Sequence, residues 1–210
     1  MNNSKKSMLK HPLAFAITAA GLALSLSAGV QAAENGKFRI GIVTFLSGPA
    51  AGPFGEPSAN AAKVLVDGLN KGQLPAPYDK LGINGAEIEV VIIDEAGGAA
   101  KQVEEFRNLV QRQKVDAVVG YISSGDCLAI APVAEELGAM TVFYDCGTSQ
   151  LFKEDKTPQY VFRTSLDAAV DNIGAARYLA KVRPDAQKVA GIQQNYAWGQ
   201  DSWNDFTHSM

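Results

Sequence analysis

The sequence has very little histidine and cysteine, which limits the chemistry it can perform. It contains two residues of each among 210, and His11 lies in a segment that we expect to be removed on export. A serine or cysteine nucleophile needs an adjacent base, and a zinc site needs several His, Cys, Asp or Glu ligands. With His208 as the one remaining imidazole, we expect no catalysis, no bound metal and no cofactor.

Glycine motifs that bind nucleotides are also missing. Neither GxxxxGK[ST] nor GxGxxG occurs, and the loop after the first predicted strand instead carries Gly48, Gly52 and Gly55. The stretch GYISSG at 120–125 likewise misses the G-x-S-x-G of a nucleophile elbow. A hydrolase that uses a Ser or Cys of this stretch is kept as the alternative from another class, although no base is available to it.

The N-terminus has the pattern of a secretory signal peptide. Lysines at positions 5, 6 and 10 precede an apolar run at 13–30, and Val30 and Ala32 fit the small-residue cleavage rule. We therefore predict cleavage after Ala32 and a periplasmic location; a membrane anchor is the alternative. Removing the three lysines of residues 1–32 leaves 16 of the 19 basic residues against 22 acidic ones, a net charge of −6. Because no basic patch remains, we expect no nucleic-acid partner.

Strand and helix patterns alternate along the mature chain. This alternation predicts right-handed βαβ units and a doubly wound parallel sheet, the α/β class, in a first lobe at 33–164. We expect Pro132 to kink or split the third predicted helix. The predicted strands are 38–45, 87–94, 115–120 and 140–144, and the predicted helices are 56–71, 100–113 and 127–137.

A second α/β unit is predicted to begin near residue 165. We expect a short strand at 160–165 to lead into it, followed by a helix at 168–182, a strand at 188–194 and a helix start at 195–206. So few elements cannot bury a sheet. We therefore expect residues 165–210 to be the start of a second lobe in a chain truncated at its C-terminus.

Polar loops follow three of the predicted parallel strands. In doubly wound folds ligands bind outside the carboxyl ends of the strands, which we call the carboxyl edge. The loops are 46–56, the GYISSGDC stretch from residue 120, and 145–149. The hydroxyls of Ser123, Ser124 and Thr148 and the amides near Gly147 suit an anion such as a carboxylate. The alternative for the serines is turn chemistry alone, with Asp126 as the helix N-cap.

The two cysteines are predicted to form one disulfide. An even pair in an exported protein favours pairing, and Cys127 and Cys146 both follow strands at the carboxyl edge. The bridge would join two of the polar loops. The alternative is two free buried thiols.

Four stretches together resemble the periplasmic solute-binding proteins of ATP-binding-cassette (ABC) importers, in the branched-chain amino-acid (Leu/Ile/Val-binding) family. The resemblance implies two lobes joined by a hinge, a small polar solute held between them, and delivery to a membrane permease by a monomeric receptor. A sensor lobe that signals to a membrane kinase is the alternative. The stretches are IGIVTFLSGPAAGPFGEPSANAAKVLVDGLN (40–70), EVVIIDEAGGAAKQVEEFRNLVQRQKVDAVVG (89–120), SSGDCLAIAPVAEELG (123–138) and NYAWGQD (195–201).

The same resemblance implies roles for individual residues. Phe54 would pack on the ligand, Ser124 would contact a carboxylate, and Cys146 and Thr148 would bind ammonium and carboxylate groups, largely through the backbone. Trp198, with Tyr196 nearby, would close over the ligand from the second lobe; ordinary packing is the alternative for both. The sequence departs from the family at Asp126, and Asp145 adds a second acid, so a ligand with a cationic group becomes an open alternative.

Overall fold

The computed structural model describes residues 36–153 and 157–210, which form one five-stranded parallel sheet with helices. The predicted signal peptide at 1–32 lies outside the described residues. No helix among those described is long and apolar enough to cross a membrane. In chain order the elements are β1 (Lys37–Thr44), α1 (Glu56–Lys71), β2 (Glu87–Asp94), α2 (Gly98–Arg107), β3 (Ala117–Gly120), α3 (Ser124–Leu137), β4 (Thr141–Phe143), β5 (Val161–Arg163), α4 (Ala168–Val182) and α5 (Ala197–Ser209).

The strand order is β2-β1-β3-β4-β5, and every pair is parallel. The chain moves from β1 outward to β2 and then returns past β1 to β3. Because parallel crossovers are right-handed, α1 covers one face of the sheet while α2 and α3 cover the other. The predicted doubly wound α/β fold is confirmed. Its order reverses between β1 and β3, and their carboxyl ends are the expected ligand position.

Apolar residues of β1, β3 and β4 pack under α2 and α3. The β-branched and aromatic composition of these short strands suits burial on both faces, as expected for a parallel sheet. Gly41 in β1 leaves room for Leu109, since a Cβ there would lie 3.0 Å from a Leu109 methyl carbon. The fully buried apolar side chains of this core include Val43, Phe106, Leu109, Val118, Ile130 and Phe143.

One prediction about the second unit was wrong. The segment at 188–194 forms no strand; it runs without regular structure beside α4 and α5, and Ile192 is fully exposed. A strand is stabilised by a neighbour, and no strand among the described residues borders this segment. The predicted strand at 160–165 does form, as β5, and it pairs with β4 at the edge of the first sheet.

Helix boundaries also differ from the sequence prediction. The helix α3 runs unbroken from Ser124 to Leu137 with Pro132 inside it, so the predicted split does not occur. Single π-helical turns precede α1, at Ala51–Gly55, and follow α2, at Asn108–Arg112. The first of these turns contains Phe54, so this residue lies in a helical turn directly before α1.

Candidate functional site

The loops after β1, β3 and β4 meet at the carboxyl edge. Two acids at the end of β2, Asp94 and Glu95, form hydrogen bonds to the loops after β1 and β3, respectively. Asp94 fixes the loop after β1. Its carboxylate accepts hydrogen bonds from the Leu46 amide at 2.9 Å, the Ser47 hydroxyl at 2.6 Å and the Ala96 amide at 3.0 Å. Two of these bonds come from the loop after β1 and the third from the residue after Glu95, so one carboxylate ties the loop after β1 to the end of β2.

Glu95 fixes the loop after β3 from a fully buried position (0% exposed). Its carboxyl oxygens accept the Ile122 amide at 2.9 Å and the Ser123 amide at 2.7 Å. Burial raises the pKa of Glu95 to about 7; the amides of Ser123 and Ile122 oppose this rise, and the charges of Asp126 and Asp145 add to it. The sequence analysis missed Glu95. The Asp-Glu pair at the end of β2 places an acid at the carboxyl edge, but nothing in the sequence pattern indicates that this acid is buried.

Tyrosines lie on the same edge. The hydroxyls of Tyr144, which follows β4, and Thr44, at the end of β1, are 2.8 Å apart and share a hydrogen bond. Tyr121, directly after β3, has φ +71°, a conformation that non-glycine residues rarely adopt and that concentrates at functional sites. Its ring is fully buried edge-to-face against Phe143, 5.8 Å between centroids. Its hydroxyl has no hydrogen-bond partner among the described residues.

Ser123, not Asp126, is the N-cap of α3, which corrects one of the sequence alternatives. The Ser123 hydroxyl accepts the Asp126 amide at 3.3 Å, because the helix begins three residues earlier than expected. Asp126 therefore lies in the first helical turn, where it is buried and where burial raises its pKa. Ser124 is 1% exposed, and its hydroxyl has no partner in the described part of the chain.

The predicted disulfide between Cys127 and Cys146 is present. It joins the first turn of α3 to the loop after β4, with the Cα atoms 6.4 Å apart and both residues fully buried. The Cys146 sulfur is therefore committed to the bridge. Its backbone carbonyl accepts a bond from Arg163 at 3.3 Å, and the same guanidinium binds the Thr148 carbonyl at 2.7 Å.

The hydroxyl of Thr148 holds α5 against the loop after β4. It donates to the Asp201 carboxylate and accepts the Gln150 amide at 3.1 Å, while the Gln150 side chain donates to Asp201 at 3.3 Å. Thr148 is fully buried. That Thr148 contacts the ligand stays a prediction. Because its hydroxyl is already engaged by Asp201 and Gln150, such a contact would be made by its backbone. The sequence analysis missed Asp201, which lies 53 residues from Thr148 and has no local signal.

Two aromatic side chains remain open to solvent at this edge. Phe54 is 52% exposed and Trp198 is 38% exposed. The indole of Trp198 lies over Gly147, since a Cβ there would be 2.8 Å from two of its ring atoms. Tyr196 is half-buried, and burial followed by the charges of Asp145 and Glu95 raises its pKa. The structure thus places Phe54, Ser123, Gly147 and Trp198 with open surface at one edge.

The family comparison identifies what kind of chain this is. Residues 37–210 match the family described as periplasmic binding protein. The chain belongs to the periplasmic binding protein family. No curated protein matches the sequence.

Solved structures of this family have the same fold. The branched-chain amino-acid transporter substrate-binding protein LivJ from Streptococcus pneumoniae, in complex with isoleucine, is 25% identical with a TM-score of 0.69, over 82% of this chain and 46% of that one. A solute-binding protein of an ABC transporter from R. palustris, in complex with 4-hydroxybenzoate, is 23% identical with a TM-score of 0.64, over 82% and 43%. The leucine-binding protein LivK from Thermotoga maritima is 18% identical with a TM-score of 0.66, over 82% and 45%. The chain spans less than half the length of each.

Gly147→Ala is expected to move the indole of Trp198 off the loop. The new methyl group would contact the indole within van der Waals distance, so the ring must shift. In a Trp203→Phe background, which leaves Trp198 as the one tryptophan, its emission maximum should shift to the red. Gly174→Ala, where an added Cβ meets nothing within 4 Å, is the matched control. An unchanged spectrum for Gly147→Ala would contradict the contact.

Proposed function

We propose that this chain is part of an exported solute receptor of an ABC importer. The receptor captures a small polar solute, an amino acid or a related compound, between two lobes and delivers it to a permease in the inner membrane. The family match over 37–210 supports this proposal, and so do structural relatives that are ABC substrate-binding proteins. One observation carries the site: three separately braced loops end at one carboxyl edge, at the β1/β3 switch point.

The proposed lobes keep the predicted boundary, 33–164 and 165–210. The cleft would lie over the carboxyl edge, with ligand contacts from both sides. Phe54 and Trp198 supply open aromatic surface, and Ser123 and Ser124 supply hydroxyls at the start of α3. The remaining proposed contacts are Cys146, Gly147 and Thr148, mainly through their backbone, and Tyr196. Ligand would stabilise the closed arrangement because only that arrangement makes contacts from both lobes. The receptor would act as a monomer, without catalysis, after removal of residues 1–32.

A thermal-shift screen of the complete gene product tests this function. Amino acids, aromatic carboxylates, amides and amines are the compound classes to screen, because a solute that binds the folded state must raise the melting temperature. We expect at least one class to raise it by several degrees. If no solute changed the melting temperature, the receptor function would be refuted.

Ser124→Ala tests the placement of the site. The hydroxyl of Ser124 is buried without a partner among the described residues, so its removal costs the fold little and costs a bound polar ligand one hydrogen bond. We expect affinity for the best compound to fall about tenfold, the effect of about 1.4 kcal/mol. Ser209→Ala, an exposed change at the C-terminal end of α5, should leave affinity unchanged. Equal affinity of wild type and Ser124→Ala would remove this residue from the site.

A further inference from the structure

We propose that Arg163 is a positioning residue for solute binding. Its guanidinium fixes the backbone of the loop after β4, where Gly147 and Thr148 are proposed to contact the solute. This role rests on the receptor function, and Arg163 would fulfil it without touching the solute. Arg163 is the last residue of β5, at the edge of the sheet, and its side chain is 9% exposed.

Three consecutive carbonyl groups of this loop accept hydrogen bonds from the end of β5 and the start of α4. The Arg163 Nη1 group donates to the Cys146 carbonyl at 3.3 Å and to the Thr148 carbonyl at 2.7 Å. The Ala168 amide donates to the Gly147 carbonyl, which lies between them in the chain, at 2.7 Å. The orientation of three successive peptide groups is therefore fixed from one side.

A fixed carbonyl group also fixes the amide of the next residue. A peptide group is planar and trans, so its N–H points opposite to its C=O. Because the carbonyls of Cys146 and Gly147 are directed at β5 and α4, the amides of Gly147 and Thr148 are directed away from these elements. The proposed solute contacts of this loop are made by its backbone. Arg163 thus sets the direction in which these groups are presented before the solute arrives, which lowers the cost of binding.

The charge of Arg163 is satisfied by neighbours inside the protein. Its Nη2 group donates to the Asp167 carboxylate at 2.9 Å, and the ring centroid of Phe152 lies 5.3 Å from the guanidinium carbon. Asp167 is itself the N-cap of α4, because its other carboxylate oxygen accepts the Val170 amide at 3.2 Å. A planar guanidinium held in this way loses little freedom when it binds carbonyls. It therefore joins the loop after β4 to the first turn of α4.

The affinity of the complete gene product for its best solute measures the role of Arg163. Arg163→Met removes every donor and keeps an apolar stem. We expect affinity to fall about tenfold, because the solute must then order the loop itself. Arg163→Lys keeps the charge without the planar fork, so its affinity should fall only about threefold. Arg107→Met is the matched control and should leave affinity unchanged, since its guanidinium makes two bonds to Glu136, at 3.1 and 2.7 Å, between α2 and α3.

Asp167→Asn tests whether Asp167 acts through Arg163. Asparagine is as good an N-cap as aspartate, so the change keeps the cap of α4 and removes the ion pair. We expect it to weaken binding about threefold in the wild type and not at all in the Arg163→Met variant, because two residues of one network are not additive. Equal losses in both backgrounds would show that Asp167 acts independently of Arg163 and would contradict this arrangement.

Hydrogen exchange separates local positioning from a general loss of stability, and it needs no solute. The Ala168 amide is bonded to the loop through the Gly147 carbonyl, whereas the Val118 amide is bonded to the Met140 carbonyl inside the sheet, at 2.9 Å. In Arg163→Met the exchange of Ala168 should accelerate about tenfold more than that of Val118, because only the loop is released. Equal acceleration at both amides would overturn the positioning role.

The binding results distinguish this role from the receptor function. A solute that binds wild type and Arg163→Met with equal affinity would overturn the positioning role and leave the receptor function intact. If no compound bound in the broader screen, both would be overturned. Should Arg163→Met fail to fold, wild-type affinity in both Arg163→Lys and Asp167→Asn would likewise overturn the positioning role.

Discussion

Glu95→Ala is expected to lower the free energy of unfolding by about 3 kcal/mol at pH 6. The substitution removes the acceptor for two backbone amides, those of Ile122 and Ser123, and each amide left unsatisfied costs about 1–3 kcal/mol. It also leaves a cavity beside the loop. At pH 6 most Glu95 is protonated, so little charge repulsion is relieved in return. Urea denaturation of wild type and variant gives the difference directly.

The effect of Glu95 should depend on pH in a defined direction. Its pKa is raised from 4.5 to about 7 in the folded protein, so the folded state binds more protons than the unfolded state between these values. The stability of the wild type should therefore fall as pH rises from about 4.5 through 7, by up to about 3 kcal/mol from this group. Asp126 and Asp145, whose pKa values burial also raises, act in the same direction.

Two variants separate Glu95 from the other acids. Glu95→Gln should remove the largest single part of the stability loss between pH 5 and pH 8, and the cost of Glu95→Ala should be smaller at pH 8 than at pH 6. Glu87→Gln, an exposed change at the start of β2, the strand that precedes Glu95, should leave the pH profile unaltered. Parallel profiles for wild type and Glu95→Gln would show that Glu95 is not the buried acid described here.

Loss of the Cys127–Cys146 disulfide is expected to cost about 3 kcal/mol of stability. The bridge closes a loop with a sequence separation of 19, and a loop of this length restricts the unfolded chain by about that amount. The double variant Cys127→Ala/Cys146→Ala is the appropriate change, because both positions are fully buried and serine would add buried hydroxyls. Urea denaturation of wild type with and without reductant supplies a second measure.

The same change should weaken ligand binding. The bridge holds the start of α3, which bears Ser123 and Ser124, to the loop that contains Gly147 and Thr148. Without it the two loops are joined only by weaker contacts, and a ligand must order them at its own expense. We expect about a tenfold loss of affinity. A double variant with wild-type stability and affinity would show that the bridge constrains neither loop.

Local pattern was sufficient to predict the first sheet and insufficient for the last segments. The strand at 87–94 forms as predicted, since EIEVVIID is rich in β-branched residues and lies beside β1 along its whole length. The segment at 188–194, KVAGIQQ, has fewer β-branched residues, and no strand among the described residues lies next to it. Pairing partners are a property of the whole fold.

The candidate site also combines features that the sequence predicts with features that it does not. Its position at the carboxyl edge follows from the order of the elements, and the Cys127–Cys146 bridge follows from compartment and position. The hydrogen bonds from Glu95 to the loop after β3 cannot be predicted in this way, because no sequence pattern indicates that its carboxylate will be buried under that loop. The N-cap of α3 could not be predicted because Ser123 and Asp126 are both good capping residues. Which of them caps the helix depends on the residue at which α3 begins, and the sequence does not define that residue closely enough.

A crystal structure of the complete gene product with the best-binding solute tests the central claim most directly. Two cavities lie outside the row of loops after β1, β3 and β4: one of about 660 Å³ between α3 and residues 150–152 and 157–159, and one of about 730 Å³ between α4, α5 and residues 189–194, which Trp198 also lines. We predict that the solute lies over the carboxyl edge, within hydrogen-bond distance of Ser123 or Ser124 and in contact with Trp198. A solute bound in either of those cavities, with the carboxyl edge empty, would contradict the proposed site.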